Sequence, residues 1–200
     1  MTIDTTDRFQ KAISGFDAAN AEDPNKEMFE GTEHPKELLY AQRLSTMLQR
    51  FAPDASETVR LAVRAQHIRR WESPRSNYPM TPLGYKQWRT DLQKFHAETA
   101  GKIMRDASYD DETISRVQSL LRKEGLKVNP ETQMLEDVVD LVFLESYLED
   151  FAKKYSHYDE AKMIDIIHKT WRKMSGRGHE FALTLALPPA LVPLIMKAVA

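Results

Sequence analysis

The residues best suited to chemistry lie on one helical run, QMLEDVVDLVFLESYLEDFAKK, in the second half of the chain. Between Leu135 and Leu148 it is apolar nearly all the way round, the pattern of a buried helix, yet Glu136, Asp137, Asp140 and Glu145 interrupt it. A carboxylate removed from water without a partner costs several kcal/mol. Each must therefore meet a metal, meet an arginine or lysine, or take up a proton. Asp137 and Asp140 are three residues apart and share a helix face, so they can converge on one centre. The structural alternative is that one or two of them pair with arginines of an earlier helix.

That earlier helix reads VRLAVRAQHIRRW, and its spacing sets Arg60, Arg64 and His67 along one face, with Arg69, Arg70 and Trp71 where it ends. A histidine among apolar and basic neighbours is a ligand or a core histidine bonded to a carboxylate. With Arg75 just beyond, Arg64 and Arg70 outline an anion pocket, because guanidinium forks bind phosphate bidentately. A third helix, YKQWRTDLQKFHAETAGKIM, offers a buried stripe of Trp88, Leu92, Phe95, Thr99 and Ile103, flanked by His96. His67, His96 and Asp137 thus sit on three separate helices, and a helical bundle can bring such residues to one point. His34 precedes its helix and reads as exposed, His157, His168 and His179 lack ligand spacing with one another, and KTWRKMSGRG is a basic, aromatic stretch that suits RNA, a phosphate or a solvated helix end.

The elements that must position these groups are helices. Glycine is scarce, apolar residues recur at three and four, and no repeat interrupts the pattern, so the expected class is all-α: one multi-helix bundle with a C-terminal helical strap. A lead helix from Asp4 to Asn20 and a loop fill 1–35, and the helical domain spans 36–187. The strap is 188–200, where Pro188, Pro189 and Pro193 break the only long apolar stretch below the roughly 20 residues a bilayer needs. Within the domain the expected helices are Lys36–Phe51, a second capped by Asp54 with Glu57 and running to Trp71, Tyr85–Ala107, one capped by Asp110, one capped by Asn129 with Pro130, and Asp159–Lys173 closed by SGRG.

Composition narrows the function. The 28 basic and 30 acidic residues leave a net charge of -2, so no whole-protein field favours nucleic acid or an anionic membrane. Zero cysteines exclude disulfides, thiolate zinc, iron–sulfur clusters and cysteine nucleophiles, and fit a cytoplasmic protein. No phosphate loop, nucleophile elbow or dinucleotide fingerprint occurs.

The blocks AQHIRRW, PRSNYP, GYKQWR, FHAET, LEDVVDLVFLE and KTWRKMS, covering about Glu37 to Leu187, closely resemble an uncharacterised domain-of-unknown-function family. More distantly, ETVRLAVRAQHI, FHAETAGKIM and PETQMLEDVVDL are similar to the HD superfamily of metal-dependent phosphohydrolases, with His67, His96 and Asp137 or Asp140 in the order of the family's metal ligands. Two positions depart from it: Ile68 stands where the paired aspartate belongs and Tyr40 near the first histidine. Neither is a good ligand for a hard or borderline ion.

The resemblance implies a divalent metal, Mn, Fe or Zn, held by His67, His96 and Asp137. Asp140 or Glu136 would orient a water, and Arg64, Arg70 and Arg75 would hold the phosphate of a small molecule or nucleotide. The alternatives are a metal-free anion sensor built from the same pocket, or an RNA-associated protein using Arg69–Arg75, Tyr78, Tyr85 and KTWRK.

Overall fold

The computed structural model describes residues 5–199, with side chains from 7 to 199. Asp4, the expected first residue of the lead helix, and Ala200, the expected end of the strap, lie outside the described residues. As the periodicity predicts, the architecture is all-α, with ten α-helices and one small hairpin among the described residues. Two compact units divide it, one up to Gly125 and one from Leu126 on.

The first unit contains α1 (Thr5–Ala21), α2 (Lys36–Phe51), α3 (Glu57–Arg64), α4 (Pro82–Asp106) and α5 (Asp111–Leu121). Its core is made by Phe16, Leu44, Met47, Leu61, Leu92, Met104 and Leu120, all fully or almost fully buried. Helix α1 packs on α2, α3 and α4, while α5 covers α3 and α4. Gly101 permits the α4–α5 approach, because a Cβ there would lie 2.4 Å from Gln118 Nε2. The loop expected between α1 and α2 contains an antiparallel hairpin, β1 (Lys26–Phe29) and β2 (Thr32–Pro35). Glu30 and Gly31 turn it with φ of 49° and 77°, the left-handed pair that a two-residue hairpin turn requires.

Helix α3 differs from expectation at both ends. Its cap is Ser56, whose hydroxyl accepts from Val59 N, rather than Asp54. It stops at Arg64, not Trp71, and the chain continues through turns to a 3-10 turn at Arg70–Glu72. The turned segment takes His67 out of the helix, so only Arg60 and Arg64 keep the i, i+4 spacing of one face. In α4 the buried stripe is Trp88, Leu92, His96, Ala100 and Met104, a repeat of four that carries His96 into the core instead of beside it.

The second unit holds α6 (Pro130–Val142), a wider π-turn (Phe143–Tyr147), α7 (Leu148–Lys154), α8 (Glu160–Trp171), α9 (Gly176–Ala182) and α10 (Val192–Val199). Asn129 caps α6 as expected, its Oδ1 accepting from Glu131 N at 2.9 Å. SGRG opens a helix rather than closing one: Ser175 caps α9 by accepting from Gly178 N. The apolar strap forms α10, which packs on α8 and receives His168 Nδ1 at the Ala198 carbonyl, 2.8 Å away. Among the described residues no helix is long and apolar enough to cross a membrane.

Candidate functional site

A polar cluster in the core of the first unit starts from a residue with no obvious sequence signal. Glu37 is the second residue of α2 and is 8% exposed. Its position is fixed by two wholly buried polar side chains. Asp23 Oδ2 accepts from Glu37 N at 3.0 Å, and Asn20 reaches the Glu37 carbonyl with Nδ2 while its Oδ1 accepts from Arg69 N at 3.0 Å. Asn20 thereby ties the start of α2 to the segment after α3. Arg69 takes a left-handed φ of 50° there, uncommon for a side chain this large, and turns the chain so that Arg70 folds back on His67.

Arg70 Nη1 donates to His67 Nε2 at 2.7 Å, which leaves the ring proton on Nδ1. That Nδ1 lies 3.3 Å from Glu37 Oε2, so guanidinium, imidazole and carboxyl form one chain. Tyr40 stacks on the His67 ring with centroids 4.3 Å apart. On the other side the Arg70 guanidinium sits 5.2 Å from the centre of the Trp88 ring, whose indole N–H is held by the Ser73 carbonyl at 2.9 Å. His96 lies within ring-to-ring reach of His67, the centroids 5.8 Å apart. Its Nδ1 donates to the Ile68 carbonyl at 2.8 Å, so Nε2 carries the lone pair. That buried Nε2 has no hydrogen-bond partner among the described residues.

Electrostatics follow from burial. Against the desolvation of Glu37, Arg70 and Lys36 favour its ionised form, while Asp23 opposes it. Desolvation wins and pushes the Glu37 carboxyl up to about 7. Burial, then the neighbouring His67, lowers His96 to about 3. His67 is depressed well below the ordinary imidazole range, first by burial and then by Arg70, Arg89, Lys123 and Lys36. Both rings are therefore neutral at pH 7, and the single carboxyl among them is poised to gain or lose a proton. His67 keeps 16% of its side chain exposed, so the cluster opens to solvent.

The other expected groups are placed elsewhere. Arg64 forks onto Asp17, with both bonds at 2.7 Å. Arg75 donates to the carbonyls of Tyr78, Pro79 and Thr81 and braces its own loop. Asp137, Glu136 and Asp140 belong to the second unit and are engaged within it. Asp137 accepts from Ser175 N at 2.7 Å, Ser175 Oγ at 2.6 Å and Gln133 Nε2 at 2.9 Å. Lys173 Nζ bridges Glu136 at 2.9 Å and Asp140 at 2.7 Å. Lys173, of the same unit, is thus an ion-pair partner of both carboxylates. Trp171 stacks on His179 at 4.0 Å, nearly parallel, which covers one face of the aromatic ring in KTWRK. Among the described residues no three histidine or carboxylate side chains are grouped so that they could hold a metal ion.

Fold and cluster together define an all-helical protein with a buried histidine–carboxyl–arginine centre in its first unit. The chain belongs to the family described as a domain of unknown function, DUF4202, whose model matches residues 10–195. No curated protein and no solved structure matches it significantly.

Proposed function

We propose that the first unit binds a phosphorylated small molecule at His67 and Arg70, with Glu37 as the group that exchanges a proton with it. One observation carries this reading: the Arg70 guanidinium sits 2.7 Å from the imidazole of His67, which keeps 16% of its side chain exposed beside the Glu37 carboxyl, and Arg89, Lys123 and Lys36 add to the positive field there. A field of that sign at an opening favours a phosphate. A carboxyl near 7 supplies what general acid–base chemistry needs at neutral pH. The Arg70–His67–Glu37 chain fixes the imidazole tautomer and directs the Nδ1 proton at the Glu37 carboxyl.

What supports the likeness to HD phosphohydrolases is the meeting of Tyr40, His67 and His96, three positions that the resemblance aligns with that family's ligand order. In its hydrolytic form the reading adds a divalent ion, for which the lone pair of His96 Nε2 is a donor. Asp137, with three hydrogen bonds of its own, supports that form less than the histidines do.

Calorimetric titration with inorganic phosphate at pH 7 tests the proposal. Binding that weakens tenfold or more in Arg70→Met supports it; equal binding by wild type and variant, or none by either, rejects it. Para-nitrophenyl phosphate turnover that requires Mn2+ and is lost in His96→Gln would establish the hydrolytic form.

A further inference from the structure

The first unit also contains a cavity of about 260 Å³, apart from the residues of the Glu37 cluster. Phe9 and Ile13 of α1 with Leu48 of α2 and Ala52 just after it supply its apolar lining, Arg60 and Arg64 of α3 its charged lining, and Gln10, Ser45 and Gln49 also reach it. The two arginines stand four apart on one helix, a like-charge spacing that is unfavourable unless an anion offsets it. Asp17 neutralises Arg64 through the two-bond fork already described. Arg60 has no such partner: its Nη2 donates to the Pro53 carbonyl at 2.9 Å, and among the described residues no carboxylate pairs with it. The cavity therefore presents apolar surface from four side chains, a few neutral polar groups and one uncompensated guanidinium at its edge.

We propose that this cavity is a second binding site, for a small carboxylic acid whose apolar tail fills the interior while its carboxylate meets Arg60. Charge sets the head group and volume sets the tail. At ~30 Å³ per water-sized group, the space holds roughly nine such groups, the size of a six- to eight-carbon acid. A bare phosphate leaves the apolar wall wet, and a neutral alcohol of the same length leaves Arg60 uncompensated. The site is independent of the phosphate reading, since it shares neither Glu37, His67 nor Arg70.

Hexanoate is the probe, followed by two-dimensional amide NMR on the full chain, with hexanol and inorganic phosphate as controls. Saturable shifts centred on the amides of Ile13, Leu48 and Ala52, with an affinity at least tenfold above that for hexanol, are the expected result. Arg60→Gln, an exposed position, should keep the wild-type spectrum and bring hexanoate down to the level of hexanol. Ala52→Leu, which fills the interior, should weaken both. Equal affinity for hexanoate and hexanol in the wild type, no saturable shift at these amides, or full hexanoate binding in Arg60→Gln would overturn the proposal.

Discussion

Among single residues, Asp137 shows how a buried carboxylate can be satisfied without any ligand. It gathers three donors, and the Gly178 backbone passes so close that an added Cβ would lie 3.0 Å from its Cγ. Replacing Asp137 by Ala strands the Ser175 N–H and removes one of the two acceptors of the Gln133 amide, and a buried bond left unmade costs about 1–3 kcal/mol. Asp137→Ala should thus lower the unfolding free energy of the second unit by about 2–4 kcal/mol, while phosphate titration of the first unit is unchanged. Loss of phosphate binding without loss of stability would instead make Asp137 part of the ligand site. Glu37 is the opposite case. Its burial is offset only in part by Arg70, and it keeps a carboxyl whose protonation changes near neutrality.

At the scale of elements, caps and close approaches decide where the site residues stand. Asn129 starts the helix that carries Glu136, Asp137 and Asp140, and its side chain accepts from two backbone N–H groups. Asn129→Ala should cost about 1 kcal/mol, read as a fall in the denaturation midpoint at unchanged slope. The connection before α4 is held more tightly than its three prolines suggest. Arg75 binds its carbonyls, and Gly84 lets the Pro79 carbonyl within 2.2 Å of where a Cβ would be. Backbone must move to admit a methyl group there, so Gly84→Ala should destabilise by about 1–3 kcal/mol. Faster amide exchange at Asn77 and Tyr78 would locate the damage in this loop; exchange unchanged there would show that the methyl is absorbed elsewhere.

Taken as a whole, the molecule has a fold that was legible in its sequence and a site that was legible only in part. Helical periodicity gave the class, and Asn129–Pro130 and Asp110 gave their caps, because these signals are local. The end of α3 was hidden because Asn20, in α1, fixes the turn after it through a contact 49 residues away. His67, His96 and Arg70 stood out by type, and the structure brings them together. Glu37 did not stand out, since a glutamate in a first helical turn is ordinary until its burial is known. The acidic run of α6 has the pattern of a site because buried carboxylates imitate one, yet Lys173 and Ser175 engage it from the same unit.

Stability against pH joins these groups. A carboxyl near 7 when folded and 4.5 when unfolded makes stability fall as pH rises through that window. His96, near 3 against 6.5, makes stability rise between those values, and depressed His67 adds to the rise. Between 4.5 and 6.5 the slopes of Glu37 and His96 oppose, so the carboxyl is seen cleanly only by difference. Urea unfolding of Glu37→Gln against wild type should show the variant gaining about 2–3 kcal/mol relative to wild type between pH 5 and pH 8. A constant difference across that range would mean that Glu37 titrates as an exposed acid.

The central claim is a carboxyl held near neutrality between an arginine-bound imidazole and the apolar core. Its most direct test is a carbon-13 NMR titration of the Glu37 side-chain carboxyl in the intact protein, assigned by its loss in Glu37→Gln. A midpoint close to 7, moving when Arg70 is replaced by Met, is the predicted result. A midpoint near 4.5, unmoved by that replacement, would contradict it and leave the cluster a structural ion pair.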